Sequence, residues 1–169
     1  LYEKLSAREF VHFMARLYQV PDEDAARRAG QLFDIFEISD RADELIEEFS
    51  HGMKQKVALA GALVHEPRVL FLDEPTVGLD PKAARNLKDL LRGMVERGTT
   101  VFMSTHILEV AERMCDRAGI IHQGRLIALG TMDELRKNSA TEKASLEEIF
   151  LQLTASEVGA DVNRFLEEQ

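Results

Sequence analysis

The segment Val69-Leu70-Phe71-Leu72, followed at once by Asp73-Glu74-Pro75, constrains the fold of this 169-residue chain more than any other. A short run that is apolar on successive residues suits a parallel strand covered on both faces, and Pro75 lacks the N–H needed to extend a ladder. The strand therefore stops at the two acids, the end of a parallel sheet where α/β folds hold their ligands. Asp73 is a hard oxygen ligand suited to Mg²⁺, directly or through water, and Glu74 is placed to polarise an attacking water. A strand that simply ends in two solvated acids is the plain alternative.

The surrounding pattern predicts mixed α/β architecture. Ser6-Ala7-Arg8-Glu9 has capping-box spacing, and Phe10, Phe13, Met14, Leu17 and Tyr18 continue at helical period, predicting a helix from about Ala7 to Gln19. Pro21 breaks it and Asp22 is expected to cap a second helix carrying Ala25, Ala29, Leu32, Phe33 and Phe36. Ser50 is the natural N-cap of a third helix. From Pro67 onward strand and helix alternate: strand 69–72, helix 81–97, strand 100–104, helix 107–115. A hairpin about Gln123-Gly124 follows, expected to make the sheet edge antiparallel, with helices at 132–136 and 146–153. The expected division is a helical subdomain at 1–48, a core at 49–137 and a C-terminal helix and tail at 138–169.

Composition excludes several classes. A net charge of -9 argues against a surface built to neutralise nucleic-acid phosphates. No apolar run approaches the ~18 residues of a membrane span, and the reading is of a cytosolic, soluble chain. Cys115 is the only cysteine, so no disulfide framework and no cysteine metal site is expected. His12, His65 and His122 share no metal-ligand spacing.

Four local signals stand in order: the Ser50 helix start, Asp73-Glu74, Gly78-Leu79-Asp80-Pro81, and Ser104-Thr105-His106 after the next strand. In this order they resemble the nucleotide-binding domain of ATP-binding cassette transporters, from residue 1 to about residue 154. The resemblance implies a partial P-loop NTPase fold in which Phe49-Ser50-His51-Gly52-Met53 is the signature motif, Val69 to Glu74 Walker B, Gly78 to Pro81 the D-loop and His106 the switch histidine. It implies ATP and Mg²⁺ as ligands, with Glu74 and His106 catalytic and Ser50, Gly52, Asp73 and Asp80 contacting nucleotide. A Ser-capped helix start offers N–H groups and a positive dipole end to a phosphate, and Gly52 allows close backbone approach. Taken singly, Ser50 and Asp80 are equally ordinary helix caps, and a histidine after a strand is often structural.

His51 and Met53 stand where the family has a small residue and an amide, and the variant Ser-His-Gly-Met-Lys-Gln-Lys looks like the ABC-2 type exporter branch. So does the stretch from Ser145 to Thr154. The partners so implied are a transmembrane permease and a second nucleotide-binding domain, at the inner face of the membrane; no nucleic-acid partner is expected. No Gly-x-x-x-x-Gly-Lys-Ser/Thr loop occurs in the chain, so it is expected to be truncated, with negligible MgATP affinity and no turnover alone. A non-transport cassette ATPase of DNA repair or translation and an inert partner-binding fragment are the competing readings.

Overall fold

A computed structural model describes residues 1–137 and 144–154; the tail from 155 onward lies outside the described residues. The chain divides into two compact units, Leu1–Ser104 and Thr105–Gln169.

The first unit begins with three helices. α1 (Ala7–Leu17) starts in the expected capping box: Ser6 Oγ accepts from the Glu9 N–H, and the Ser6 N–H donates to Glu9 Oε2 at 2.8 Å. α2 (Asp22–Phe36) does not start as expected. Pro21 occupies the cap position without a side-chain bond, and Asp22 is the first helical residue, where its carboxylate meets the positive helix end and pairs with Arg16. α2 ends at Glu37 in the left-handed region, φ 55°. Two short 3-10 turns, Ser39–Arg41 and Ile46–Glu48, lead to α3 (His51–Leu63). The apolar stripes of the three helices close on one another: Phe10 and Val11 of α1, Phe33 and Phe36 of α2, and Val57 and Ala60 of α3 are all buried. Tyr18, at the end of α1, stacks flat on His65, just past α3, with ring centroids 3.7 Å apart.

β1 (Val69–Asp73) and β2 (Thr100–Ser104) pair in parallel, Val69 opposite Thr100 and Asp73 opposite Ser104. Between them runs α4 (Pro81–Glu96), capped by Asp80 and with proline at its favoured first position. Ala83, Leu87 and Leu91 are buried, and burial of a side chain such as Leu87 contributes about 1.5–3 kcal/mol. α4 is also fastened to α2, since Asn86 Nδ2 donates to the Ile35 carbonyl at 2.7 Å and Lys82 pairs with Glu37.

The expectation that β1 is covered on both faces fails among the described residues. Leu70 is buried, but Val69 is 54%, Phe71 73% and Phe102 64% exposed. The reason is the period of the strand: alternate side chains share a face, so the face that carries Leu70 is covered and the face that carries Val69 and Phe71 is open. Phe71 and Phe102 cover each other only partly, with centroids 5.6 Å apart.

In the second unit α5 (Leu108–Met114) precedes β3 (Arg117–His122) and β4 (Arg125–Thr131). These form an antiparallel hairpin that is a sheet of its own, not the antiparallel edge of the β1–β2 sheet that the sequence suggested. Its two-residue turn has Gln123 and Gly124 both at positive φ, the backbone that matches the strand twist. α6 (Met132–Lys137) and α7 (Leu146–Thr154) begin in Thr131/Glu134 and Ser145/Glu148 capping boxes. Ile120, Leu135, Leu146 and Ile149 make the core, and Arg136 bonds Glu112 at 2.5 Å.

Two predictions follow from this packing. The double variant Phe71→Ser/Phe102→Ser, which removes apolar surface from an open sheet, is expected to lower concentration-dependent self-association in sedimentation velocity; unchanged association would assign it to another face. Acid should destabilise the first unit in two steps. Burial holds His65 below its ordinary 6.5, and the Lys56 ammonium, helped by the Ala83 N–H, holds Asp80 below its ordinary 3.8. Both folded values are depressed, so the stability they contribute is present above the ordinary values and lost as pH falls through the folded ones. Melting temperature against pH should fall below 6.5 and again below 3.8, and His65→Gln should remove only the first step.

Candidate functional site

The first unit holds five of the six residues singled out from sequence, in two neighbouring groups joined by the turn from Glu74 to Asp80. The first group is the strand end. Parallel register sets Asp73 opposite Ser104, and the Ser104 hydroxyl donates a short hydrogen bond to Asp73 Oδ1. The Glu74 N–H in turn donates to the Ser104 carbonyl and to its Oγ, each at 3.2 Å. Ser104 thus orients the side chain of one acid and the backbone of the next. Glu74 has φ 46°, a left-handed conformation that costs a non-glycine residue about 1–3 kcal/mol and turns the chain out of the strand. Pro75 is fully buried behind it, and the Val77 N–H closes the turn onto the Glu74 carbonyl at 3.1 Å.

The second group is the start of α3. Ser50 has extended backbone (φ -60°, ψ 163°), its Oγ accepts from the Met53 N–H at 3.4 Å, and no acidic residue stands in the first helical turn to neutralise the positive end. This helix start packs directly on the turn before α4. A methyl group placed on Gly52 would lie 2.3 Å from the Gly78 carbonyl oxygen, so only glycine fits there. Gly78, at φ 80°, meets the His51 ring, which a methyl group on Gly78 would approach to 2.7 Å. Beside them Asp80 uses both carboxylate oxygens: Oδ1 accepts from the Ala83 N–H at 2.8 Å and Oδ2 pairs with Lys56 Nζ at 2.8 Å. Those contacts depress the Asp80 carboxyl, Lys56 being the larger cause.

His106 lies in the second unit, on an exposed turn in which the Ile107 N–H donates to Thr105 Oγ1 at 3.1 Å. The structure thus sets Gly52, two residues past the Ser50 cap, against Gly78 in the turn that carries Asp80, and sets Asp73 with Glu74 on Ser104. Two residues at these groups had no role in the sequence reading. Ser104 was visible only as a strand end, and its partnership depends on register. Lys56 left a signal, for it lies one helical turn beyond Gly52 and so on the same side of α3.

The chemistry of the donors fits Mg²⁺ held in part by a nucleotide. Among the described residues no three His, Cys, Asp or Glu side chains gather to hold a metal alone. Asp73 offers an exposed carboxylate anchored through one oxygen by Ser104, and Mg²⁺ is commonly held by one or two carboxylates, with waters and phosphates completing the shell. No described helix is long and apolar enough to cross a membrane.

Residues 2–112 match the protein family described as "AAA domain, putative AbiEii toxin, Type IV TA system". The chain is 38% identical over 135 residues to the linearmycin resistance ATP-binding protein LnrL of Bacillus subtilis (strain 168), covering 80% of this chain and 43% of that protein. It is 38% identical over 159 residues to the ABC-type transporter ATP-binding protein EcsA of the same organism, covering 94% of this chain and 64% of that protein. A solved ATP-binding subunit of an ABC transporter superposes with a TM-score of 0.87 at 38% identity, covering 91% of this chain and 64% of the other. The chain spans less than two-thirds of the length of these relatives. With Ser50, Asp73-Glu74 and Asp80 set on the fold of an ABC ATP-binding subunit, the chain belongs to the AAA/ABC ATPase domain family.

Proposed function

We propose that this chain is part of the ATP-hydrolysing subunit of an ABC-type membrane exporter, working as a pair of nucleotide-binding domains against a transmembrane permease. The observation that carries the reading is the junction of the α3 start with the Gly78–Asp80 turn, seven residues or fewer from a strand-end acid pair. A resistance ATP-binding protein and a transporter ATP-binding protein at 38% identity support the exporter assignment.

In this reading each residue has a task that follows from its setting. The first turn of α3, capped by Ser50 and free of acidic side chains, presents N–H groups and a positive end to the γ-phosphate bound by the opposite subunit. Asp73, aligned by Ser104, holds the Mg²⁺ side of the nucleotide, directly or through water. Bound Mg²⁺ supplies neutralising charge to the phosphate oxygens. Glu74, turned out of the strand by its left-handed backbone, accepts a proton from the attacking water. The switch-histidine role that the resemblance implies for His106 is a hydrogen bond to the γ-phosphate or the orientation of water. Asp80 acts across the subunit interface from its place at the cap of α4. The phosphate-cradling loop does not occur in these 169 residues, so the chain by itself supplies half of a nucleotide site.

Two measurements test this. Glu74→Gln in the complete subunit is expected to slow MgATP hydrolysis by roughly 10²–10⁴-fold while trapping an ATP-bound dimer; undiminished hydrolysis would remove Glu74 as the base. Calorimetry on the 169-residue chain is expected to show no saturable MgATP binding in the micromolar range, and such binding would overturn the half-site reading.

A further inference from the structure

Lys56 is one of three buried polar or charged residues among those described, with only 10% of its side chain exposed. Its side chain leaves α3, and its ammonium reaches Asp80 Oδ2 at 2.8 Å. Asp80 is 48% exposed and spends its other oxygen on the Ala83 N–H. Two further contacts cross the same junction, Gly52 against the Gly78 carbonyl and the His51 ring against Gly78. Farther along α4, Asn86 and Lys82 tie the helix to the end of α2. The turn carrying Asp80 is therefore attached to the helical bundle and not only to the strand it follows.

We propose that Lys56 is a positioning residue that locks the start of α3 and the Gly78–Asp80 turn into one rigid element, so that both segments reach the nucleotide together. The proposal rests on the functional reading above for what the element does, but not for whether it exists. Its physical basis is an asymmetry in the pair. If Lys56 is replaced by Met, an unbranched chain of similar length still fills the space, and Asp80, half in water, still caps α4. The fold survives while the tether between the segments is gone. If Asp80 is replaced by Asn, the cap acceptor survives but the Lys56 ammonium is left in a nearly closed setting.

The test is amide hydrogen exchange on the 169-residue chain without nucleotide. The reporters are Met53 and Lys54, bonded to Ser50, and Val77 and Leu79, bonded within the turn. Lys56→Met is expected to speed exchange in both groups together, by about tenfold or more, while amides of α2 keep their protection. Lys56→Arg, which restores the charge, is expected to return both toward wild type. Acceleration of one group alone, or of neither, would overturn the proposal. Should Lys56→Met also expose α2, Asp80→Asn provides the second reading: the same two groups must accelerate together, and unchanged exchange again overturns the lock. In the complete subunit Lys56→Met should lower kcat about tenfold with KM for ATP little changed, because misplaced segments lose the reacting geometry and not the nucleotide. A wild-type kcat alongside uncoupled exchange would deny Lys56 its positioning role. Intact coupling with no effect of Glu74→Gln would instead sink the functional reading and leave the lock standing.

Discussion

The register of β1 on β2 is the constraint on which the acid end of this protein depends. In a parallel pair a slip of one residue would turn every side chain to the opposite face. Leu70 would leave the core, and Phe71 would be driven into it. The same slip would take Ser104 away from Asp73 and from the Glu74 N–H, so the two hydrogen bonds that aim the acids would be lost together. The burial of Leu70 therefore selects the register, and the register aligns the acids. Hydrophobic burial, worth several kcal/mol over Leu70, Leu87 and Leu91, outweighs the strain of holding Glu74 at φ 46°.

What could be read from sequence was what is settled within a few residues. The Ser6/Glu9 capping box, the Ser50 and Asp80 caps, the strand stop at Asp73-Glu74 and the Gln123-Gly124 hairpin are local chemistry, and each is present. Asp22 was misread for a related reason: an acid at a helix start serves either as cap or as a first-turn charge, and Pro21, fixed at φ -55°, took the cap position. Pairings across long stretches were not legible. Lys56 with Asp80 and Ser104 with Asp73 depend on which elements pack together, which no spacing rule reports. The hairpin was legible as a hairpin, but whether it joined the parallel sheet was a question of tertiary pairing.

An apolar run is also an ambiguous sign of cover. Val69 to Leu72 reads as a strand buried on both sides, yet one face is open among the described residues. Composition reports that a surface prefers to be buried; it does not say what buries it. The exposed pair Phe71 and Phe102 lies on the face that also carries Asp73 and Ser104, so any element covering the aromatics stands next to the acids.

The junction at Gly78 shows how a departure from the family pattern is accommodated. His51 replaces the small residue that the ABC resemblance leads one to expect, and a ring at a helix start needs room. That room comes from two glycines that face each other. Gly52 has no side chain to strike the Gly78 carbonyl, and Gly78, at φ 80°, has none to strike the imidazole. The ring therefore lies against the backbone of Gly78. A bulkier first residue is tolerated because it adds a contact across the same junction that Lys56 and Asp80 close with charge, so the substitution makes the helix start and the turn more dependent on each other.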